Sequence, residues 1–417
     1  MALGTGAGKA PRAPKAPPKT RWYLLGPAFV AAIAYVDPGN VAANVSAGAQ
    51  FGFLLVWVIV LANVMAGLVQ YLSAKLGLVT GRSLPEAVGD QTRKPARIMY
   101  WLQAELVAMA TDLAEVVGGA IALYLLFDLP LLLGGVITGI VSLLLLLVQD
   151  RRGQRMFERV ISGLLLIIAI GFLTSLFVSP PPPGDVAAGL LPRFHGAESV
   201  LLATAMLGAT VMPHAVYLHS GLARDRHGHP EAGPQRRFLL RVTRWDVGLA
   251  MVVAGAVNLA MLLVAATNLQ GRQNTDSIEG AHAAVADTLG PTVGLLFAIG
   301  LLASGLASTS VGAYAGAMIM QGLLRVSVPL LVRRLITLIP ALAILAVGLD
   351  PSRALVLSQV VLSFGIPFAL VPLIRLTSNR ALMGDDTNHR LISSLGWIVA
   401  AVIILLNVVL IYLTVTG

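Results

Sequence analysis

The sequence has no cysteine. Disulfides and thiolate metal sites are therefore excluded. Charge is scarce as well: only 12% of the 417 residues are Asp, Glu, Lys or Arg, against about 25% in an ordinary soluble domain. There is no HExxH, no phosphate-cradling glycine loop and no nucleophile–base pattern, so nothing in the chain points to an enzyme. No cleavable signal peptide is evident.

What the chain has instead is apolar length. Hydrophobic residues make up 57% of it and the mean hydropathy is +0.82, which places it among all-α polytopic membrane proteins. Roughly 20 residues cross a bilayer as a helix. Eleven segments are long enough, at about 23–46, 52–77, 98–126, 129–149, 156–178, 198–222, 243–268, 291–321, 328–348, 353–375 and 391–415. Residues 1–21 are rich in Ala, Pro and Lys and are expected to form a disordered basic tail. A net charge of +9 would suggest a nucleic-acid partner in a soluble protein, but here the charges lie in short loops between apolar spans, and no nucleic acid is expected.

The basic residues also orient the chain. With eleven spans, 26 of the 29 Lys and Arg fall on the side of the N-terminus, and only Arg193, Arg272 and Arg353 fall on the other. The positive-inside rule then puts the N-terminus in the cytoplasm and the C-terminus outside. The location that follows is a bacterial inner membrane. Residues 179–197 form a Pro-rich external loop, and residues 224–241 a basic cytoplasmic loop. Both are candidates for movement.

Two spans are interrupted. The first carries Asp37-Pro38-Gly39-Asn40 at its centre, and the sixth carries Met212-Pro213-His214. Proline removes a backbone donor and glycine favours unwinding. A carboxylate at mid-bilayer is expensive and points to function. Broken helices five spans apart are a pointer to inverted repeats with a site between them. The ligands on offer are the Asp37 carboxylate, the Asn40 amide oxygen, the Met212 thioether and carbonyls freed by unwinding, such as that of Ala209. Oxygen alone suits Mg²⁺ and Ca²⁺. A thioether favours softer transition metals, so Met212 reads as the element that rejects the abundant hard ions.

The third span carries Glu105, Asp112 and Glu115. Spacings of seven and three put all three on one helix face. Acids so placed serve either as a proton relay or as an ion-pair network, with Arg333 and Arg334 of the ninth span as candidate partners. His214 and His219 in the sixth span can change charge near neutral pH and are candidates for the same relay.

The paired motifs Asp37-Pro38-Gly39-Asn40 and Met212-Pro213-His214 resemble the signatures of the Nramp family of proton-coupled divalent-metal transporters. The resemblance extends through AELVAMATDLAE in the third span, LLASGLASTSVGAYAGAMIMQG in the eighth, RRLITLIPAL in the ninth and DPSRALVLSQVVLSFGIPFALVPL around the tenth. It covers nearly the whole chain past the tail. It implies a LeuT-like fold of two inverted five-helix repeats, 22–178 and 198–376, with an eleventh span at 390–417. It implies metal binding by Asp37, Asn40, Met212 and the Ala209 carbonyl, joined by Gln359 in the occluded state, with Asn63 and Asn258 as polar neighbours of the permeating ion. It further implies that Glu115 and Asp112 carry protons away from Asp37, that Arg334 and Arg333 neutralise this route, and that His214 lies near its start. Many relatives have a polar Gln or Asp where this chain has Ala317, a departure that touches no proposed metal ligand. Relatives specialised for Mg²⁺ or Al³⁺ lack the methionine of the sixth-span triad.

The expected activity is import of Mn²⁺, with Fe²⁺, Co²⁺ and Cd²⁺ as related cargo, coupled to protons by alternating access. No cofactor and no obligate protein partner is expected beyond the metal ions, protons and the lipid bilayer. The alternative is a sodium-coupled carrier of organic substrates such as amino acids on the same fold.

Overall fold

The computed structural model describes residues 26–152, 154–272, 277–326 and 328–416. The basic tail expected over 1–21 lies outside these residues. The described chain is helical, with no strand among the described residues. Its helices are α1 (Pro27–Ile33), α2 (Pro38–Phe51), α3 (Val56–Thr80), α4 (Leu84–Gln91), α5 (Lys94–Phe127) and α6 (Leu131–Arg152). They continue with α7 (Gln154–Val178), α8 (Pro183–Ala188), α9 (Gly196–Thr210), α10 (Pro213–His227), α11 (Pro234–Asn268) and α12 (Ile278–Leu289). The last are α13 (Pro291–Leu324), α14 (Leu330–Val347), α15 (Pro351–Thr377), α16 (Arg380–Met383) and α17 (Arg390–Thr416).

Proline sets where many of these helices begin. It occupies the first or second position of α1, α2, α4, α5, α8, α10, α11, α13 and α15. There its fixed φ suits the helix and its missing N–H costs nothing, because the first N–H groups of a helix have no partner within it. Eight helical stretches are long and apolar enough to cross a membrane. Each of the eleven predicted segments contains a helix. The eight differ from the eleven in that α2 and α3 run on as one apolar stretch, Pro38–Thr80, that α6 supplies a shorter apolar stretch, Leu131–Leu145, and that α14 is not among the eight.

The packing repeats itself between the two halves of the chain. α1 lies against α7, as α9 lies against α15, and α2 lies against α11, as α10 lies against α3. The third and eighth spans, α5 and α13, pack on each other through the centre. α17 lies outside this pattern, on α15 and α9. The loops flanking the sixth span are shorter and more helical than the bounds 179–197 and 224–241 implied. The Pro-rich loop contains α8, and Gly189 after it accepts a hydrogen bond from Trp57 N at 3.0 Å. The basic loop is confined between α10, which ends at His227, and α11, which starts at Pro234.

Candidate functional site

The first span breaks at Asp37. After α1 a tight 3-10 turn covers Ala34–Val36, and Asp37 is extended, with φ −71° and ψ 167°. Pro38 then opens α2. Two carbonyls at the break are taken up by other helices. Asn258 of α11 donates to Tyr35 O at 2.8 Å, and Ser304 of α13 donates to Val36 O at 2.5 Å. The sixth span breaks in the same way: α9 ends at Thr210, Val211 leaves the helix, and Met212 caps α10 with φ −64° and ψ 122°.

The two breaks meet. Asp37 Oδ1 accepts from Asn40 N at 2.8 Å and from Asn40 Nδ2 at 2.7 Å. The same Nδ2 also donates to Ala209 O across the gap, at 2.8 Å. Gln359 of α15 donates from Nε2 to Asp37 Oδ2 at 3.5 Å. Asp37, Asn40, Ala209, Met212 and Gln359 are all fully buried, each with 0% of its surface exposed. Asn40 Oδ1 and Gln359 Oε1 are buried without a hydrogen-bond partner. Asp37 forms no ion pair with any basic group among the described residues. A buried carboxylate without a cation and two idle amide oxygens beside it form a donor set of cation-binding chemistry.

Glycines bring the walls together. A Cβ on Gly208 would lie 1.9 Å from Gln359 O, and one on Gly118 would lie 2.0 Å from Pro38 Cβ. The first contact lets α9 touch α15 beside Gln359, and the second lets α5 touch the break in the first span.

The acidic face of α5 meets α14. Asp112 pairs with Arg334 Nη1 at 2.5 Å, and Arg334 Nε donates to Ser142 at 3.1 Å. Glu105 pairs with Arg333 Nη2 at 3.0 and 3.2 Å. Glu115 lies against the Asp112 carboxyl and within electrostatic reach of Arg334 and Asp37, and no N–H group donates to either of its carboxylate oxygens. It stands between the broken span and the two ion pairs. A cavity of about 270 Å³ is lined by Arg333, Glu86, Arg224, Asp225 and Ala317 among others.

The remaining candidates divide into those the fold draws in and one that it sets apart. His214 Nδ1 lies 3.3 Å from Thr111 Oγ1 on α5. His219 Nδ1 lies 2.6 Å from Gln70 Oε1, and Gln70 bonds the Tyr35 hydroxyl. Asn258 adjoins the break directly. Asn63 instead bonds Ile59 O at 3.0 Å and lines an apolar groove between α3 and α11. Ser304 and Asn44 were not singled out from the sequence. Ser304 holds Val36 O, and Asn44 donates to Asn258 Oδ1 at 3.2 Å. The signal for Ser304 was the cluster of small hydroxyl residues in LASGLASTS, an unusual density inside an apolar span.

Comparison with known proteins gives this arrangement its context. The pattern of the family described as natural resistance-associated macrophage protein-like, Nramp, matches residues 28–413. The divalent metal cation transporter MntH of Mycobacterium tuberculosis is 75% identical over 399 residues, covering 96% of this chain and 93% of that protein. The crystal structure of the Eremococcus coleocola manganese transporter superposes with a TM-score of 0.85 at 32% identity, over 95% of this chain and 88% of that one. MhsT, solved with L-phenylalanine, superposes at 0.61 with 15% identity over 93% of this chain and 99% of that one, a likeness of fold alone. The fold is thus LeuT-like, and the chain belongs to the Nramp family.

Proposed function

We propose that this chain is a bacterial plasma-membrane transporter that carries Mn²⁺ inward together with protons, with Fe²⁺, Co²⁺ and Cd²⁺ as related cargo. The observation that carries this reading is the fully buried Asp37 carboxylate without a basic partner, bonded by the amide nitrogens of Asn40 and Gln359, whose amide oxygens are buried and unpaired. Asn40 Nδ2 bridges Asp37 Oδ1 and Ala209 O. It holds the gap between two acceptors with a partial positive charge. A divalent cation in that gap replaces the N–H donors with its own charge, and a turn of the Asn40 amide offers Oδ1 as a ligand. Met212 adds a soft donor, which disfavours Ca²⁺ and Mg²⁺. The identity to named divalent-metal transporters supports the same cargo class.

Protons are assigned to the carboxylates of α5. A bound divalent cation favours the ionised form of Asp37, so a proton held there leaves, and Glu115 is an acid within electrostatic reach to receive it. From there the route runs past Asp112–Arg334 and Glu105–Arg333 to the cavity lined by Arg333. The arginines keep the route from holding cations, so metal and proton part ways after Asp37. His214 sits beside this route at Thr111, and His219 is linked to the first span through Gln70 and Tyr35. The halves 22–178 and 198–376 act as inverted repeats that rock about this midplane centre, with the N-terminus cytoplasmic and the C-terminus outside. Nothing beyond shared fold supports an organic substrate, and an unpaired carboxylate repels the carboxylate of an amino acid.

The test is Mn²⁺ uptake into proteoliposomes by the native chain and by Asp37→Asn. The asparagine keeps an acceptor for Asn40 N, removes the charge and turns the acceptor toward Gln359 Nε2 into a donor. Uptake by the native chain and its loss in Asp37→Asn, with folding intact, is the expected result. Near-normal uptake by Asp37→Asn would show that the cation is bound elsewhere.

A further inference from the structure

α15 carries two prolines inside its length, Pro367 and Pro372. Neither can donate an N–H, so the helix frees the carbonyls four residues earlier, those of Ser363 and Phe368. Inside a membrane no water is at hand to take up a freed carbonyl. Side chains from two other helices do so. Asn407 of α17 donates from Nδ2 to Ser363 O at 3.1 Å, and Ser363 Oγ donates back to Asn407 Oδ1 at 2.9 Å. Tyr217 of α10 donates its hydroxyl to Phe368 O at 3.1 Å. Each proline-freed carbonyl of α15 therefore has one donor, and the two donors come from different helices, α17 and α10.

The positions of these donors are informative. Asn407 stands alone in the apolar run IILLNVVLIYL and is only 5% exposed. An isolated amide in such a run needs a partner, and this one is engaged through both its atoms. Ser363 lies one helical turn after Gln359. Tyr217 lies five residues after Met212, on the helix that the sixth-span break releases. The bond from Tyr217 thus ties α10, which starts beside Met212, to α15, which carries Gln359.

We propose that Asn407 and Tyr217 are positioning residues: by capping the carbonyls that Pro367 and Pro372 leave free, they hold α15 at the angle that sets Gln359 against Asp37. Neither touches the cargo. The inference rests on the reading that Gln359 binds the metal. It gives α17, which lies outside the repeated packing, a part in the centre, and it links the two sides of the metal through one hydroxyl.

The test uses the full chain in lipid nanodiscs and Mn²⁺ titrated by calorimetry. Asn407→Leu and Tyr217→Phe are each expected to weaken Mn²⁺ binding about fivefold to tenfold, the worth of one hydrogen bond. In the Pro367→Ala background the backbone itself supplies the missing N–H. There Asn407→Leu is expected to cost less than about twofold, and Tyr217→Phe likewise in the Pro372→Ala background. Added to Gln359→Ala, neither variant is expected to cost anything further. A merely structural role lowers the yield of folded protein but shows no such dependence on Gln359.

Equal losses in the proline and alanine backgrounds would overturn the capping assignment. If Gln359→Ala alone leaves the affinity unchanged, the reading of Gln359 as a ligand fails and the positioning role falls with it. The coupling of Asn407 to Pro367, measured as melting temperature, then shows whether the capping itself stands. Should Asn407→Leu not fold, Tyr217→Phe, which removes a single hydroxyl, decides the matter alone.

Discussion

Gly208 of α9 and Gln359 of α15 touch backbone to backbone: a Cβ on Gly208 would fall 1.9 Å from the Gln359 carbonyl oxygen and 2.9 Å from Ser363 N. The obstacle is main chain, so no rotamer change relieves it. The residue next to Gly208 is Ala209, whose carbonyl receives Asn40. The missing side chain therefore sets the distance between the two elements that flank the proposed cargo site.

Gly208→Ala is expected to force α9 and α15 apart. Overpacking of this kind costs about 1–3 kcal/mol, and displacement of Gln359 is expected to weaken Mn²⁺ binding by at least about tenfold. Calorimetry on the purified variant measures this. Native affinity would show that the contact is adjustable and does not set the geometry of the centre.

Met212→Ala is expected to keep Mn²⁺ uptake, at reduced affinity, and to admit Ca²⁺ and Mg²⁺. The remaining ligands are all oxygen, which suits hard cations. Competition of Ca²⁺ and Mg²⁺ against Mn²⁺ uptake in proteoliposomes checks it. Full discrimination in the variant would remove Met212 as the selectivity element.

Glu115→Gln is expected to separate the two fluxes. The amide cannot pick up a proton from Asp37, so metal-driven acidification of the vesicle lumen drops by an order of magnitude or more, while Mn²⁺ affinity changes about threefold at most, since Glu115 is not placed against the cargo. A pH-sensitive dye inside the vesicles reads the first and calorimetry the second. Unchanged proton flux would take Glu115 out of the route.

Arg334→Met is expected to leave Asp112 as a buried, uncompensated charge. Both side chains are almost wholly inaccessible, at 0% and 2%, and removing one partner of such a pair costs about 3–5 kcal/mol. The melting temperature in detergent should fall clearly, and Asp112→Leu in the same chain should recover a good part of the loss. No recovery in the double variant would mean that Arg334 acts through Ser142 or the backbone and not through Asp112.

Some of this architecture is legible from local chemistry. Pro38 and Pro213 each open a helix, where the missing N–H costs nothing, and each stands beside a polar residue inside an apolar span. The breaks at Asp37 and Met212 therefore follow from the residues themselves, and the eleven apolar segments follow from composition. The face shared by Glu105, Asp112 and Glu115 is a matter of helical spacing. Which arginine each acid takes is not: Arg333 and Arg334 are adjacent, and only the crossing of α5 with α14 assigns Glu105 to the first and Asp112 to the second. Asn63 and Asn258 look alike in sequence, both lone amides in apolar helices. The packing of α3 on α11 puts one in an apolar groove and the other against Tyr35 O.

The sequence by itself determined the number of apolar segments, the places where the chain unwinds, and the presence of an acid at the first break, since each depends on a few neighbouring residues. Only the tertiary structure decided that Asn40 bridges Asp37 to Ala209, that Gly208 admits the backbone of Gln359, and that Asn407 and Tyr217 complete a helix broken by Pro367 and Pro372. Those contacts join residues far apart in the chain. They arise because a carbonyl or carboxylate buried away from water must find its partner wherever the packing brings one.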